Sequence, residues 1–324
     1  MRIIPRKTLL LPIILLTIVM PACALGQSLR RVQTYPELAV GIDQITVADD
    51  DVFLATAQNG LLLLDPANAA APVKTDWETP IDSASRITVD GNYAYIIGTN
   101  GTLYVVDISD LSNPVVLDSY KPDTPSIEVD IQFPYLFLTT GAGGLHVIDV
   151  SEPTTLERVG VYNLTVNNFE PAIWDVAVSG EYAYITLSDP KNHDFVEVLN
   201  ISNPATPTKV GSVRVNLASN IAIQGDYAFV ANGHGLQILD VSNPHSPIVI
   251  TSYDTPNTAL GLKVEGNYVY INDLYGMEVV DISDIHSPRR VAYAKLPQVQ
   301  DVAVVDGYIY VADSFKGLVI FKHP

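Results

Sequence analysis

The chain has 324 residues, of which 18 are lysine or arginine and 36 are aspartate or glutamate, for a formal net charge of −18. This acidity makes nucleic acid and anionic lipid poor partners, because like charges repel. Length alone would allow two domains, but a repeat that runs through most of the chain favours one.

Residues 1–26 have the features of an export signal. Three basic residues open the segment, and the apolar stretch from Leu9 to Met20 that follows them is too short to span a bilayer. Small residues then offer cleavage sites after Ala24 or after Gly26. We therefore predict a cleaved signal peptide, an extracytoplasmic protein (secreted, periplasmic or on the cell surface) and no transmembrane span.

Cys23, the only cysteine, is a candidate lipid anchor, because it lies where a bacterial lipoprotein would be acylated. The preceding Met20-Pro21-Ala22 departs from the usual lipobox, so a chain without lipid stays open as the alternative. Cleavage after Gly26 would leave residues 27–324 without any cysteine, and hence without disulfides or thiol catalysis. This mature chain would carry 15 basic and 36 acidic residues, a net charge of −21.

A short string returns seven times along the mature chain, as LLLLD, LYVVD, LHVID, VEVLN, LQILD, MEVVD and LVIFK. Its closing residues are Asp65, Asp107, Asp149, Asn200, Asp240, Asp281 and Lys322. They are separated by 42, 42, 51, 40, 41 and 41 residues, which is the spacing of propeller blades. Each period holds four apolar, β-branched runs bounded by turn residues. We predict an all-β, seven-bladed β-propeller that forms a single domain over residues 27–324.

The two ends of the chain predict how the ring closes. The last period, residues 298–322, supplies three strands and lacks a fourth. The segment 31–35 resembles the fourth strand of an internal period, residues 249–253. We expect this N-terminal strand to complete the last blade, which removes the free edge that an open repeat array would expose.

These periods resemble the LVIVD-repeat family of bacterial and archaeal surface proteins. The resemblance covers residues 31–324, and Asn200 and Lys322 depart from the final aspartate of the string. It implies a β-propeller outside the cytoplasm, with no established reaction or ligand. We expect the closing aspartate of each period to accept hydrogen bonds from backbone N–H groups of the turn that follows it.

Aligning the periods places one residue just before the core of each inner strand. These residues are Gln44, Arg86, Glu128, Asp175, Asn220, Gly261 and Asp301. Six of the seven are polar, so we expect a polar ring at one mouth of the axial channel, on the face formed by the loops between blades. The ring suits a ligand site. Alternatively, it binds channel water and satisfies the amides at the strand ends.

The fourth period, at 51 residues, is the longest, and its extra length falls in two loops on that same face. Insertions in repeat folds collect on the binding side. We therefore predict that ligand or partner contacts come from Arg86, Glu128, Phe169, Glu170, Trp174, Asp175, His193 and Asp301. Candidate ligands for a calcium ion are Glu170, Asp189, His193 and Asp194, although acidic and amide residues also simply make turns.

The sequence offers few residues for catalysis: it has six histidines and lacks a nucleophile elbow, a paired-histidine zinc motif and a phosphate loop. Three function classes stay open. The first is an exported, non-catalytic, monomeric propeller without cofactor that binds a protein partner or a small ligand. The second is a carboxylate-based glycoside hydrolase or lyase that uses Glu128, Asp175 and Asp301. The third is a structural cell-surface module.

Overall fold

The structure is a computed structural model that describes residues 27–38, 41–48, 51–65, 73–75, 81, 83–163, 171–188 and 194–324. These residues contain 29 strands, one 3₁₀ turn at Pro36–Leu38 and no α-helix. Accordingly, the described ranges include no helix with the length and apolar character needed to cross a membrane. The predicted signal segment 1–26, with Cys23, lies outside the described residues.

The strands form seven sheets, each of which is one blade of a propeller. Two short strands precede the first blade: β1 (Gln27–Ser28) and β2 (Arg31–Tyr35). The first blade contains β3 (Ile42–Ala48), β4 (Asp51–Thr56), β5 (Gly60–Asp65) and β6 (Val73–Thr75). The second contains β7 (Arg86–Asp90), β8 (Tyr93–Ile97), β9 (Leu103–Asp107) and β10 (Val115–Tyr120). The third contains β11 (Glu128–Gln132), β12 (Tyr135–Thr139), β13 (Leu145–Asp149) and β14 (Glu157–Tyr162).

The remaining blades continue in chain order. The fourth contains β15 (Ala172–Ser179), β16 (Tyr182–Ser188), β17 (Asp194–Asn200) and β18 (Thr208–Arg214). The fifth contains β19 (Asn220–Gln224), β20 (Tyr227–Asn232), β21 (Gly235–Asp240) and β22 (Ile248–Asp254). The sixth contains β23 (Ala259–Glu265), β24 (Tyr268–Asp273), β25 (Gly276–Asp281) and β26 (Arg289–Lys295). The seventh contains β27 (Val299–Val305), β28 (Tyr308–Asp313) and β29 (Gly317–Lys322).

The closing residue of the repeat stabilises the turn after the third strand. Oδ1 of Asp107 accepts a hydrogen bond from the backbone N–H of Ser109 at 2.9 Å, and Asp240 accepts one from Ser242 at 2.9 Å. Asn200 uses its side-chain oxygen in the same way, at 3.1 Å. The prediction for these residues is confirmed, and asparagine replaces aspartate because the turn needs only an acceptor.

The apolar core lies between neighbouring blades. Each of seven clusters of buried side chains joins two adjacent blades. Tyr95 of β8, for example, clusters with Val129 and Leu136 of the third blade. Tyr310 of β28 clusters with Leu54 of the first blade, across the seam where the ring closes. Removing apolar area from water at every seam therefore holds the blades together.

The N-terminal segment closes the ring as predicted. Strand β2 pairs antiparallel with β29, with Thr34 opposite Val319, and so becomes the fourth strand of the seventh blade. Strand β1 adds a contact that the sequence did not predict: it runs parallel to β26, with Gln27 opposite Ala292, and extends the sixth blade. The innermost strand β27 contacts β3, which completes the circle of inner strands.

Candidate functional site

The inner strands leave a cavity of about 540 Å³ at the loop-rich mouth of the axial channel. All seven aligned ring positions line this cavity. A second cavity of about 280 Å³ continues along the axis and shares Glu128, Asp175 and Asp301 with the first. The predicted polar ring is therefore present, and it separates the outer cavity from the channel.

Four ring residues bond to the backbone of the next blade. In each case a side-chain oxygen accepts a hydrogen bond from the backbone N–H of the residue after the next ring position: Gln44 from Ile87 at 2.5 Å, Asp175 from Ile221 at 2.7 Å, Asn220 from Leu262 at 2.9 Å and Asp301 from Ile45 at 2.9 Å. The last of these bonds crosses the seam between the seventh and first blades. The alternative that the ring satisfies strand-end amides is confirmed for these four residues.

Two further pairs of neighbouring blades are also joined near the ring, but by contacts of another kind. Nε of Arg86 donates to Oε2 of Glu128 at 2.6 Å, which joins the second blade to the third by an ion pair. Gly261 has no side chain, and a Cβ there would lie 2.8 Å from the side-chain oxygen of Asn272. Nδ2 of Asn272 donates to the backbone carbonyl of Gln300 at 3.2 Å and so reaches the seventh blade. Glycine is thus needed at 261 to leave space for this amide.

Burial raises the pKa of two ring carboxyl groups. The pKa of Asp301 rises to about 6, although hydrogen bonds from Ile45 and Val302 act in the opposite direction. The pKa of Asp175 rises well above its ordinary value, first through burial and then through the nearby charge of Glu128. Both groups therefore bind protons more tightly than a solvated aspartate.

In four blades a β-bulge precedes the ring position. The register of the inner strand shifts there by one residue, and the bulged residues are Asp43, Trp174, Leu260 and Gln300. All four line the cavity. Bulges often re-aim a side chain beside a functional site. Of these residues, sequence analysis identified only Trp174; reading the residue just before each ring position would have found the other three.

Three exposed apolar side chains surround the cavity, and we refer to them as the rim. They are Trp174, Leu217 and Leu260, with 45%, 55% and 42% of their surface exposed. Nε1 of Trp174 donates to Oγ of Ser188 at 3.1 Å, which orients the indole ring. Leu217 has a φ of +56°, a strained conformation for leucine. Oδ2 of Asp194 accepts a hydrogen bond from the Leu217 N–H at 2.5 Å and holds it there.

The structure brings together the described members of the predicted site: Arg86, Glu128, Trp174, Asp175 and Asp301. The other three, Phe169, Glu170 and His193, lie outside the described residues, as does Asp189 of the calcium hypothesis. Asp194 is described, and its carboxylate holds Leu217. Within the described ranges, no group of three or more histidine, cysteine, aspartate or glutamate side chains is placed to hold a metal ion.

Comparison with known proteins gives a family and a fold. The family described as LVIVD repeat matches residues 82–122, 128–164, 172–215, 217–255, 257–292 and 298–321. No curated protein matches the chain in sequence.

Three solved structures are similar in fold. The computationally designed Ika8 protein is 12% identical with a TM-score of 0.66, over 92% of this chain and 100% of that chain. The β-propeller domain of Cps50 (Swd1) from Myceliophteria thermophila is 8% identical with a TM-score of 0.71, over 87% of this chain and 97% of that chain. BamB from Moraxella catarrhalis is 13% identical with a TM-score of 0.57, over 87% and 85%. At these identities the likeness shows the fold alone.

Proposed function

Because the chain belongs to the LVIVD-repeat family and folds as a seven-bladed β-propeller, we propose that it is an exported, non-catalytic, monomeric protein that binds a ligand on its loop-rich face. One observation carries the proposal. The cavity at this face, of about 540 Å³, lies within the range of about 300–1,000 Å³ that is typical of ligand pockets. The propeller fold itself fixes no activity, so the function must come from this site.

The construction of the cavity supports binding. Ligand pockets combine an apolar wall, which supplies affinity, with a few polar groups, which orient the ligand. Here Trp174 and Leu260 supply apolar surface, while Asp43 and Gln300 supply polar groups from equivalent bulges. Hydrogen bonds between blades fix the ring below them. The site is therefore preorganised, which lowers the entropic cost of binding.

Export is the second part of the proposal, and the sequence of residues 1–26 supports it. Mass spectrometry of the mature N-terminus is the test. We expect a chain that begins at Leu25 or Gln27. A diacylglyceryl group on Cys23 would keep the export and add a membrane anchor, whereas an intact Met1 in the cytoplasmic fraction would contradict it.

A protein partner is a second candidate ligand, favoured by apolar residues beyond the cavity. Leu274 and Tyr275 lie in the β24–β25 turn and Phe315 lies in the β28–β29 turn, with 43%, 61% and 69% of their surface exposed. These turns join second to third strands and belong to the loop-rich face. Aromatic residues such as Tyr275 and Phe315 are enriched at protein interfaces, which supports a protein partner on this face.

A carboxylate-based hydrolase has less support from the geometry. Oδ1 of Asp175 accepts a hydrogen bond from Val176 at 2.7 Å, and its Oδ2 accepts the bond from Ile221. Glu128 is paired with Arg86. A catalytic carboxyl must reach the reacting atoms. The carboxyl groups of Asp175 and Glu128 are instead engaged by backbone N–H groups and by Arg86. A hydrolase would lose turnover and keep substrate binding in Glu128→Gln.

A thermal-shift screen of neutral, cationic and anionic fragments tests the binding function. A ligand that binds the folded state raises the melting temperature by mass action. We expect this shift in the wild type and its loss in a Trp174→Ala/Leu260→Ala variant. The control is Asn92→Ala, in the exposed β7–β8 turn on the opposite face. A shift that survives in the rim variant and disappears in the control would contradict the proposed face, and the absence of any stabilising fragment would favour a structural module.

A further inference from the structure

Acidic side chains outnumber basic ones around the cavity. Five carboxyl groups line it, and Arg86 is the one basic side chain among its described lining residues. The acids are Asp43, Glu128, Asp175, Asp194 and Asp301. Arg86 is already committed, because its Nε is paired with Glu128 at 2.6 Å and its Nη1 donates to a backbone carbonyl at 2.8 Å. Among the described lining residues, the cavity therefore holds no cationic group besides this paired arginine.

Asp43 differs from the other four acids. Asp175, Asp194 and Asp301 each accept a backbone hydrogen bond within the fold. Asp43 is half-buried and accepts no hydrogen bond from any described residue. Burial raises its pKa, and the charge of Arg86 counteracts this only in part. A bulge in β3 turns this residue toward the cavity. The carboxylate thus lines the cavity without a hydrogen-bond donor among the described residues, although Arg86 lies near enough for its charge to act on it.

Apolar surface lies around the same cavity. Bulges equivalent to that of Asp43 turn Trp174 and Leu260 toward it. Leu217 completes the rim in a strained backbone conformation. An indole face and aliphatic side chains bind the apolar body of a ligand, and an indole also attracts a cation. The volume of about 540 Å³ is far larger than a metal ion requires.

We infer that this cavity binds an organic cation, whose ammonium or guanidinium group pairs with Asp43 and whose apolar body lies against Trp174, Leu217 and Leu260. The inference rests on the proposed function and specifies its ligand class. An anion is disfavoured because acidic side chains outnumber basic ones among the described lining residues. A neutral ligand could donate a hydrogen bond to Asp43 but would leave the charge of its carboxylate without a counter-charge from the ligand.

Three aromatic molecules of similar size but different charge test the charge requirement: benzylammonium, benzyl alcohol and benzoate. The protein has two tryptophans, so a Trp77→Phe variant leaves Trp174 as the only indole and its fluorescence reports on the rim. We expect a saturable response to benzylammonium, at least tenfold weaker binding of benzyl alcohol and no binding of benzoate. Equal binding of all three, or a preference for benzoate or for a neutral sugar such as cellobiose, would overturn the inference.

Substitution of Asp43 provides the second arm of the test. In the Trp77→Phe background, Asp43→Asn should weaken benzylammonium binding at least tenfold and leave benzyl alcohol binding unchanged. Asp90→Asn removes the same charge from an exposed position at the end of β7, on the opposite face, and should change neither. Equal weakening by both substitutions would mean that only net charge matters, and would overturn the role of Asp43. If Asp43→Asn fails to fold, the comparison of the three molecules decides alone.

The two proposals fail in different ways. If neutral or anionic fragments stabilise the protein through the rim while benzylammonium does not, the cation inference is wrong and the proposed function stands. If no fragment of any charge binds through the rim, both are wrong.

Discussion

The polar ring and the rim lie next to each other but serve different purposes. Of the ring residues, Asp175 is buried and Asp301 is partly buried, and both bond to the backbone of the next blade. Rim residues such as Trp174 and Leu217 are about half exposed, and the hydrogen bonds donated by the Trp174 indole and the Leu217 N–H do not reach the next inner strand. Polarity at the mouth of a propeller channel is therefore weak evidence for a ligand contact, because closing the ring itself requires acceptors there. Exposed apolar side chains aimed by bulges are better evidence.

The largest expected effect on stability comes from deleting residues 27–35, none of which belongs to the polar ring. This deletion exposes β29 and β26 as edge strands and removes the buried side chain of Leu29. Burying one such side chain contributes about 1.5–3 kcal/mol, and the lost strand pairing adds to it. We expect the melting temperature to fall by about 10 °C, since each kcal/mol corresponds to roughly 2–4 °C in a protein of this size. A fall of less than about 2 °C would mean that the ring closes without these strands.

A pair of neighbouring residues separates ring from rim directly. Asp175→Ala leaves the N–H groups of Val176 and Ile221 without their acceptor, so we expect a loss of about 2–3 kcal/mol in the free energy of unfolding. Trp174→Ala, one residue away, should cost less than about 1 kcal/mol, because surface substitutions rarely cost more. Urea denaturation measures both values. Equal costs would contradict the division between ring and rim.

Much of this division could not be predicted from the sequence. The period of the repeat and its alternation of apolar runs with turns predicted the blades, and alignment of the periods predicted the ring. The alignment hid the bulges, because a bulge is defined by pairing with β4, β16, β24 or β28 rather than by spacing along the inner strand. Strand β1, at two residues, is too short to leave a pattern. The strain at Leu217 also has no sequence signal, since leucine rarely adopts positive φ.

The pH dependence of stability tests whether Asp301 serves mainly to stabilise the folded protein. Its folded-state pKa of about 6 lies above the ordinary value of 3.8, and burial is the main cause. The folded protein therefore binds this proton more tightly than the unfolded chain. The resulting stabilisation is complete below about pH 4 and is lost as the pH rises through about 6, a change on the order of 3 kcal/mol.

Asp301→Asn removes this titration and keeps an oxygen that can accept the bond from Ile45. We expect the wild type to lose stability between pH 4 and pH 6.5 relative to Asp301→Asn, as measured by urea midpoints at each pH. Parallel profiles for the two proteins would show that Asp301 does not titrate in this range.

The smallest expected effect concerns Leu217, where the rim is held at the expense of backbone strain. A leucine at φ +56° costs on the order of 1 kcal/mol, and glycine does not. The Leu217 side chain also packs closely against Gly233, since a Cβ built on that glycine would lie only 2.3 Å from it. Leu217→Gly removes this contact. Relief of the backbone strain stabilises the variant and loss of the contact destabilises it. We expect the free energy of unfolding to stay unchanged or to rise by up to about 1 kcal/mol. Binding of benzylammonium should weaken at least threefold.

Asp306 is the matched control for this substitution, because it is the other non-glycine residue with positive φ among the described residues, at +51°. It lies in the β27–β28 turn on the opposite face, and aspartate tolerates this conformation better than leucine. Asp306→Gly should therefore change stability by no more than a few tenths of a kcal/mol and leave binding unaltered. If Leu217→Gly instead destabilised the protein by more than about 1 kcal/mol with binding intact, Leu217 would belong to the structural framework rather than to the rim. A gain in stability together with weaker binding is the opposite result, and it is the one expected of a residue whose strained position serves the ligand.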